Sequence, residues 1–457
     1  MENIFLWIPI VIYVAIVTFV FIKSLLKNEA STAEKTARGT GDYKGILLLF
    51  TILGTMIGPG FSYGAIEEFY KYGFFYTGFF ILACVQFWFF GHLFAGRIRK
   101  IGESNETAGD ILGKAYGKPM QILVGFLTVA FSIAIVAVLG SAGGKVLSSV
   151  TGLDTHISVI AVITFVTIYS FFGGIATVIK TDKPQFIFVL AFCLIGVGVA
   201  IYYFFFNHTT VDFSTIFYFN TNQMPVSQMI NIAIAFLLGE AFIPVYSIRG
   251  MIAKDENTAK KAFKRAAYIG IIWFILLTFI ANAAHCIDYN SNKLVYLDFI
   301  QSILQGTWWG MLLIGLALAG MLSVVMSTID SILNSAGVSF RKDIMQQIFP
   351  AISKSESQMF VYSRYAILLV AIFGVFFAIK SSGIVELLLI AYAIWVPAVV
   401  FPFVYYLIRN KINNKWSGFC GTVSGIITWV IFNYFIKCIS YPLPKFLVSL
   451  HFFKYSI

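Results

Sequence analysis

The chain has 457 residues, of which 59% are hydrophobic and only 12% are charged. A soluble domain of this size cannot hide so much apolar surface, so the composition excludes a soluble globular protein and predicts an all-α polytopic membrane protein. The net charge of +11 would suit a nucleic-acid binder, but we expect no nucleic-acid partner, because the basic residues fall in loops between apolar segments. The five cysteines lack CxxC spacing and indicate neither a metal site nor a disulfide framework.

Apolar segments long enough to cross a bilayer recur along the chain and predict about twelve transmembrane helices. They lie near residues 4–22, 45–69, 74–96, 119–147, 156–179, 184–206, 228–248, 266–286, 309–340, 361–379, 384–408 and 417–436. The first lacks a basic leader and a small-residue cleavage site, so we expect a retained helix and not a cleaved signal peptide. If the N-terminus lies outside, the inner loops hold most of the 32 Lys and Arg residues. This asymmetry predicts that orientation in a plasma membrane.

Two of the predicted helices are interrupted near their middle. Segment 45–69 contains GTMIGPG at residues 54–60, and segment 228–248 contains LGEAFIP at residues 238–244. Gly and Pro at this density free backbone carbonyls, which are tolerated at membrane depth only where they line a cavity or are buried in protein. A proline kink explains either break alone. Two breaks at matching positions are typical of an inverted-repeat transporter with its site at the midplane.

Segment 309–340 carries the sequence MSTIDS at residues 326–331. Ser327, Asp330 and Ser331 share one helical face, because they are spaced i, i+3 and i+4. An ionisable side chain is costly in a membrane helix and usually lines an ion or solute path. Clustered oxygens without Cys or His suit a hard cation such as sodium. The alternative is that the hydroxyls bond back to carbonyls of their own helix.

Five motifs in chain order resemble the sodium:solute symporter family. They are residues 54–73 (GTMIGPGFSYGAIEEFYKYG), 169–174 (YSFFGG) with 181–185 (TDKPQ), Arg249 with 253–254 (AK), 326–331 with 341–343 (RKD), and 386–392 (ELLLIAY). The resemblance implies a LeuT-type, five-plus-five inverted repeat with halves at 45–206 and 228–408. An extra helix and linker (1–44) would precede it, and a C-terminal helix and tail (409–457) would follow.

The resemblance also implies a sodium site of backbone carbonyls and hydroxyls. Carried over by position, its ligands are the carbonyls of Gly54, Ile57 and Val324 and the hydroxyls of Ser327 and Thr328. The broken helix supplies free carbonyls and the 326–331 motif supplies hydroxyls. The residue types in this chain therefore predict the same kind of site as the family resemblance.

Some family members hold an additional sodium ion, and the corresponding positions here are Asp182, Asp330 and Ser331. We expect Asp182 at the start of the fifth core helix, near the cytoplasmic face. Two close carboxylates either bind a cation or share a proton, because like charges repel. The alternative is that Asp330 pairs with a basic inner-loop residue, such as Lys180 or Arg341, and locks the inner gate.

The solute is expected beside the first break, near Met56, Gly58 and Phe61, with Phe236 and Glu240 opposite. Glu240 has an alternative role as the cap of a half-helix N-terminus. Two polar residues of segment 74–96 are expected to hydrogen-bond between helices and not to bind ligand: Gln86 and His92. The chain departs from the family pattern at 58–59, 138–141 and 248, so amino acids, vitamins, sugar acids and carboxylates all stay open as substrates.

These observations predict sodium-coupled uptake of a small organic solute and no enzyme activity. The expected partners are sodium, the solute and the lipid bilayer, with no obligate protein partner, and the expected location is a bacterial inner membrane. A proton-coupled carrier of the same fold is the first alternative, because Asp182 and Asp330 are titratable. A transporter-like sensor is the second.

Overall fold

The structure is a computed structural model that describes residues 2–27, 43–102, 105–207, 226–287, 294–350, 356–380, 391–392, 394–409, 412 and 414–434. These residues form helices and turns with one isolated bridge between Tyr43 and Ala253, which confirms the all-α class. Eight helical segments of the described residues are long and apolar enough to cross a membrane, if Ile232–Met251 is counted as one across its break, and three shorter apolar segments accompany them. The linker 28–42, motif residues 386–390 and the tail after 434 lie outside the described residues.

The first half of the chain contains the first predicted break. Its helices are α1 (Glu2–Leu26), α2 (Gly45–Met56), α3 (Tyr63–Tyr72), α4 (Phe75–Leu93), α5 (Ala95–Ile101), α6 (Ala108–Tyr116), α7 (Lys118–Thr151) and α8 (Thr155–Tyr202). A 3-10 turn at Pro59–Phe61 separates α2 from α3, so the predicted segment 45–69 is two half-helices. The short helices α5 and α6 were not predicted, because neither is long enough to give a membrane signal.

The second half contains the second break. Its helices are α9 (Val226–Leu238), α10 (Pro244–Met251), α11 (Glu256–His285), α12 (Val295–Leu304), α13 (Trp308–Ser339), α14 (Glu356–Lys380), α15 (Phe401–Arg409) and α16 (Trp416–Tyr434). A 3-10 turn at Glu240–Phe242 separates α9 from α10, with Pro244 at the first position of α10, where its missing N–H costs nothing. Both predicted breaks are therefore present.

Helix α8 combines two segments that were predicted separately, and a sharp bend at Gly174 divides it. Gly174 has a φ of 61°, a conformation that glycine adopts without strain. The second limb runs antiparallel to α13, since Asp182 lies against Ser327 and Gln185 lies against Ser323. The prediction that Asp182 opens this helix is wrong. The bend comes about eight residues earlier, which places Asp182 roughly 12 Å along the limb.

Helix α13 lies at the centre of the molecule, and every residue from Ala317 to Ser339 is buried. On one side, the Tyr13 hydroxyl of α1 donates to the Met326 sulfur at 3.3 Å. Gly315 lets α1 approach closely, because a Cβ there would lie 2.2 Å from the Leu6 carbonyl oxygen. The polar residues of α13 are therefore surrounded by protein and not by lipid.

Candidate functional site

The C-terminal end of α2 lies against the polar middle of α13. The Ser327 hydroxyl lies 3.4 Å from the Gly54 carbonyl oxygen, and a Cβ added to Gly54 would come within 2.8 Å of that hydroxyl. Thr328 donates to the Val324 carbonyl at 2.9 Å, and a Cβ on Gly58 would lie 3.4 Å from the Thr328 hydroxyl. The first break and the serine–threonine pair are thus in direct contact.

Helix α2 ends at Met56, beside the polar middle of α13. Its last helical bond runs from the Ile57 N–H to the Leu53 carbonyl, and Pro59 has no N–H to continue the ladder. The last carbonyls of a helix lack intrahelical donors, so those of Gly54 and Ile57 are available to another partner. Neutral carbonyl and hydroxyl oxygens at one junction form a donor set that suits a hard monovalent cation.

The two hydroxyls of the pair differ in their bonding. The Thr328 hydroxyl bonds back to its own helix at Val324, as the alternative interpretation of this motif expects. The Ser327 hydroxyl instead donates to the Asp182 carboxylate at 2.7 Å. Ser327 therefore links the end of α2, the second limb of α8 and α13.

Asp182 is fully buried and accepts two hydrogen bonds from hydroxyls. Thr51 of α2 donates to one carboxylate oxygen at 2.6 Å, and Ser327 donates to the other. Because a Cβ on Gly54 would lie 3.4 Å from the same carboxylate, Asp182 borders the carbonyl and hydroxyl junction directly. When it is ionised, this carboxylate favours a cation at the junction.

A second buried carboxylate, Asp330, lies one helical turn beyond Ser327 on α13. The Tyr169 hydroxyl donates to it at 2.9 Å, while its other oxygen has no hydrogen-bond partner. Arg249 is also buried, donates to Ser331 at 2.8 Å and interacts electrostatically with both Asp182 and Asp330. Two carboxylates therefore face one guanidinium in a space closed to solvent.

Two expectations about charged partners need correction. Arg249 lies just beyond the predicted membrane segment 228–248, but it is 1% exposed and lies inside α10. Arg341 was a candidate partner for Asp330, but it pairs with Glu106. Glu106 also lies 3.3 Å from Lys342. The reason is that α13 continues for several turns beyond Asp330, which carries Arg341 away from it.

Sequence reasoning did not identify Thr51, Thr55 and Tyr169 as members of this cluster. Thr55 lies 3.4 Å from the Ser331 hydroxyl. A usable signal existed for the threonines, since Thr51 and Thr55 are spaced i, i+4 along α2. No comparable signal marked Tyr169, whose hydroxyl reaches α13 only because α8 packs beside it.

The residues expected near the solute fall into an aromatic part and a polar part. The Phe61 and Phe236 rings are 5.4 Å apart, and both contact Phe80 of α4. The Phe61 carbonyl, in the first break, accepts a bond from the Trp273 indole at 2.8 Å. Met56 is buried against α11. The two breaks are therefore bridged by aromatic rings.

The polar part surrounds Glu240 in the second break. Tyr392 donates to the Glu240 carboxylate at 2.5 Å. The Gln86 side-chain oxygen accepts a bond from the Ala241 N–H at 2.8 Å, which confirms the expected interhelical role of Gln86. His92 instead stacks on Trp88 of its own helix.

Comparison with known proteins agrees with this architecture. The sodium:solute symporter family profile matches residues 37–425. The uncharacterized symporter YwcA of Bacillus subtilis is 22% identical over 418 residues, which cover 86% of this chain and 76% of that protein. A sodium/proline symporter of Staphylococcus aureus is 26% identical over 327 residues, which cover 68% of this chain and 58% of the relative.

Two solved structures share the fold. A sodium-coupled sialic acid symporter in a substrate-bound, outward-open state aligns with a TM-score of 0.77 at 18% identity, covering 95% of this chain and 92% of that one. The structure of MhsT in complex with L-phenylalanine aligns with a TM-score of 0.56 at 14% identity, covering 90% and 96%.

Proposed function

Because the chain belongs to the sodium:solute symporter family, we propose that the contact between the first break and α13 binds the sodium ion that drives uptake. The protein is a membrane-spanning, sodium-coupled symporter of a small organic solute, and not an enzyme. The proposed ligand oxygens are the carbonyls of Gly54, Ile57 and Val324 and the hydroxyls of Ser327 and Thr328.

One observation carries this assignment. The Ser327 hydroxyl lies 3.4 Å from the Gly54 carbonyl oxygen and 2.7 Å from the Asp182 carboxylate, so helices from both halves of the chain contribute oxygens to one place. An ion bound there holds the broken helix against α13. Its binding therefore favours one arrangement of these elements over another, which is how an ion gradient biases a carrier.

The test is uptake into proteoliposomes. Vesicles with an inward sodium gradient should accumulate a member of a solute mixture, and dissipation of that gradient should abolish accumulation. The mixture should contain proline, sialic acid and phenylalanine, along with vitamins and carboxylates. Accumulation that follows a proton gradient with sodium absent would favour the proton-coupled alternative.

We further propose a second cation or proton site at Asp182, Asp330 and Ser331. The support is electrostatic. If both carboxylates are ionised, the single Arg249 guanidinium leaves one negative charge uncompensated, and a buried unpaired charge is strongly unfavourable. A monovalent cation or a proton would balance it.

The solute site is proposed beside the breaks, at Met56, Gly58, Phe61, Phe236 and Glu240. The half-helix ends there supply oriented backbone groups, and the phenylalanine rings supply an apolar wall. We also propose that residues 45–206 and 228–408 are the inverted repeats and that the N-terminus faces outward in a bacterial inner membrane. Cysteine labelling from either side of the membrane tests that orientation.

A further inference from the structure

A carboxylate in the second break lacks a cationic partner. Glu240 is 6% exposed, and in the described part of the chain no Lys, Arg or His lies within ion-pair distance of it. Its identified hydrogen-bond donor is the Tyr392 hydroxyl, which is neutral. An ionised carboxylate at this depth is stable only if a positive charge compensates it.

A buried polar group next to Glu240 has no hydrogen-bond partner among the residues that the structure describes. Gln86 uses its side-chain oxygen to hold the Ala241 N–H, but its side-chain nitrogen is buried and makes no hydrogen bond. The Tyr246 hydroxyl is also buried and interacts with Glu240. A buried unpaired donor costs about 1–3 kcal/mol, so this amide nitrogen beside an uncompensated carboxylate indicates a site built for a ligand.

Building on the proposed symport function, we propose that Glu240 is a subsite for a protonated amine and that the transported solute carries an ammonium group with a nearby oxygen acceptor. The ammonium binds the Glu240 carboxylate. The solute oxygen accepts a hydrogen bond from the Gln86 nitrogen, a ligand role that the sequence did not lead us to expect, and the Tyr246 hydroxyl lies beside the carboxylate.

A proton on Glu240 alone explains less of the arrangement. It would remove the charge, but it would leave the Gln86 nitrogen without a partner. A solute with both groups satisfies the carboxylate and the amide together.

The surroundings supply a place for the apolar remainder of the solute. Phe80 and Gln86 lie on the same helix, roughly 9 Å apart at about 1.5 Å per residue. Phe80 contacts Phe61 and Phe236, so the aromatic rings meet α4 less than two helical turns from Gln86. Aromatic rings also favour a nearby cation through their π faces.

The experiment uses amines paired with isosteres in which oxygen replaces the nitrogen. Suitable pairs are proline and tetrahydrofuran-2-carboxylate, phenylalanine and phenyllactate, and glucosamine and glucose. Binding is measured by thermal shift of the purified full-length protein in sodium. We expect at least one amine to stabilise the protein and its isostere to bind at least about tenfold more weakly. If no amine stabilises, or if the isosteres bind equally well, the proposal is wrong.

Substitutions at Glu240 provide the second readout. Glu240→Gln keeps an acceptor for Tyr392 but removes the charge, so the affinity for the amine should fall at least about tenfold. The matched control is Glu256→Gln, an exposed glutamate in the first turn of α11, which should leave affinity unchanged. Amine affinity that is unchanged in Glu240→Gln, with only the pH dependence of uptake altered, would identify a proton site instead.

Failure of this proposal is distinguishable from failure of the sodium assignment. The stabilisation of the protein by sodium alone, without solute, reports on the Ser327 junction. This stabilisation by sodium should be unchanged in Glu240→Gln. If sodium alone gives no stabilisation while an amine still binds in preference to its isostere, the sodium site is wrong and the amine subsite stands. The comparison of each amine with its isostere uses the wild-type protein, so it tests the proposal even if Glu240→Gln does not fold.

Discussion

Replacing Ser327 by Ala tests the sodium site most directly, because this hydroxyl contacts both the broken helix and Asp182. The substitution removes a proposed ion ligand and the 2.7 Å bond to the carboxylate. A hydrogen bond to a charged group contributes about 1.5–3 kcal/mol. At this depth no water replaces the lost oxygen easily, so sodium affinity should fall at least about tenfold, which is about 1.4 kcal/mol.

The measurement is the sodium dependence of thermal stability and of uptake in the purified variant. The matched control is Ser323→Ala, one turn earlier on α13. The Ser323 hydroxyl is equally buried but donates to the Gln185 carbonyl at 2.8 Å, away from the proposed ion. The Ser323→Ala variant should lose stability, and its sodium affinity should equal that of the wild type. Equal sodium affinity in Ser327→Ala and wild type would refute the assignment, whatever the loss of stability.

Three further substitutions are expected to separate roles within the network. Gly54→Ala places a Cβ 2.8 Å from the Ser327 hydroxyl, so sodium affinity should fall at least about tenfold. Asp330→Asn removes one of the two carboxylate charges, so a second-cation role predicts a lower sodium Hill coefficient or an altered pH dependence of uptake. Glu106→Gln breaks a largely buried ion pair with Arg341, so the variant should lose about 3 kcal/mol of stability with sodium affinity unchanged.

Each of these variants has a control or a contrary outcome. Gly78→Ala in α4 has open space around its new Cβ and should behave as wild type. Unchanged sodium affinity in Gly54→Ala would mean that α2 and α13 are not joined by an ion. If the sodium-to-solute stoichiometry of Asp330→Asn is unchanged and its inward-open state is leakier, the result would favour the alternative in which Asp330 locks the inner gate. A thermal stability of Glu106→Gln equal to that of the exposed-glutamate control, Glu256→Gln, would show that the ion pair between Glu106 and Arg341 is not stabilising.

Hydrophobic runs and backbone-breaking residues alone were sufficient to predict much of this protein. Membrane crossing depends on length and apolarity, which are properties of contiguous sequence. The two breaks were predictable because Gly54, Gly58 and Pro59 act on the backbone where they stand, and Gly239 and Pro244 do the same in the second half. The proposed sodium ligands followed from the resemblance of the motifs at 54–73 and 326–331 to a known family.

Tertiary packing decided which of these polar groups meet. The bend of α8 occurs at Gly174, because a positive φ is needed there, and not at the charged residues 180–183. That bend carries Asp182 into the interior and onto Ser327. The partner of Asp330 could not be read from charge pattern either, since Arg249 and Tyr169 are distant in sequence and reach it only through helix packing. Local sequence determines which segments become helices, whereas the contacts between distant helices determine which of their side chains form a site.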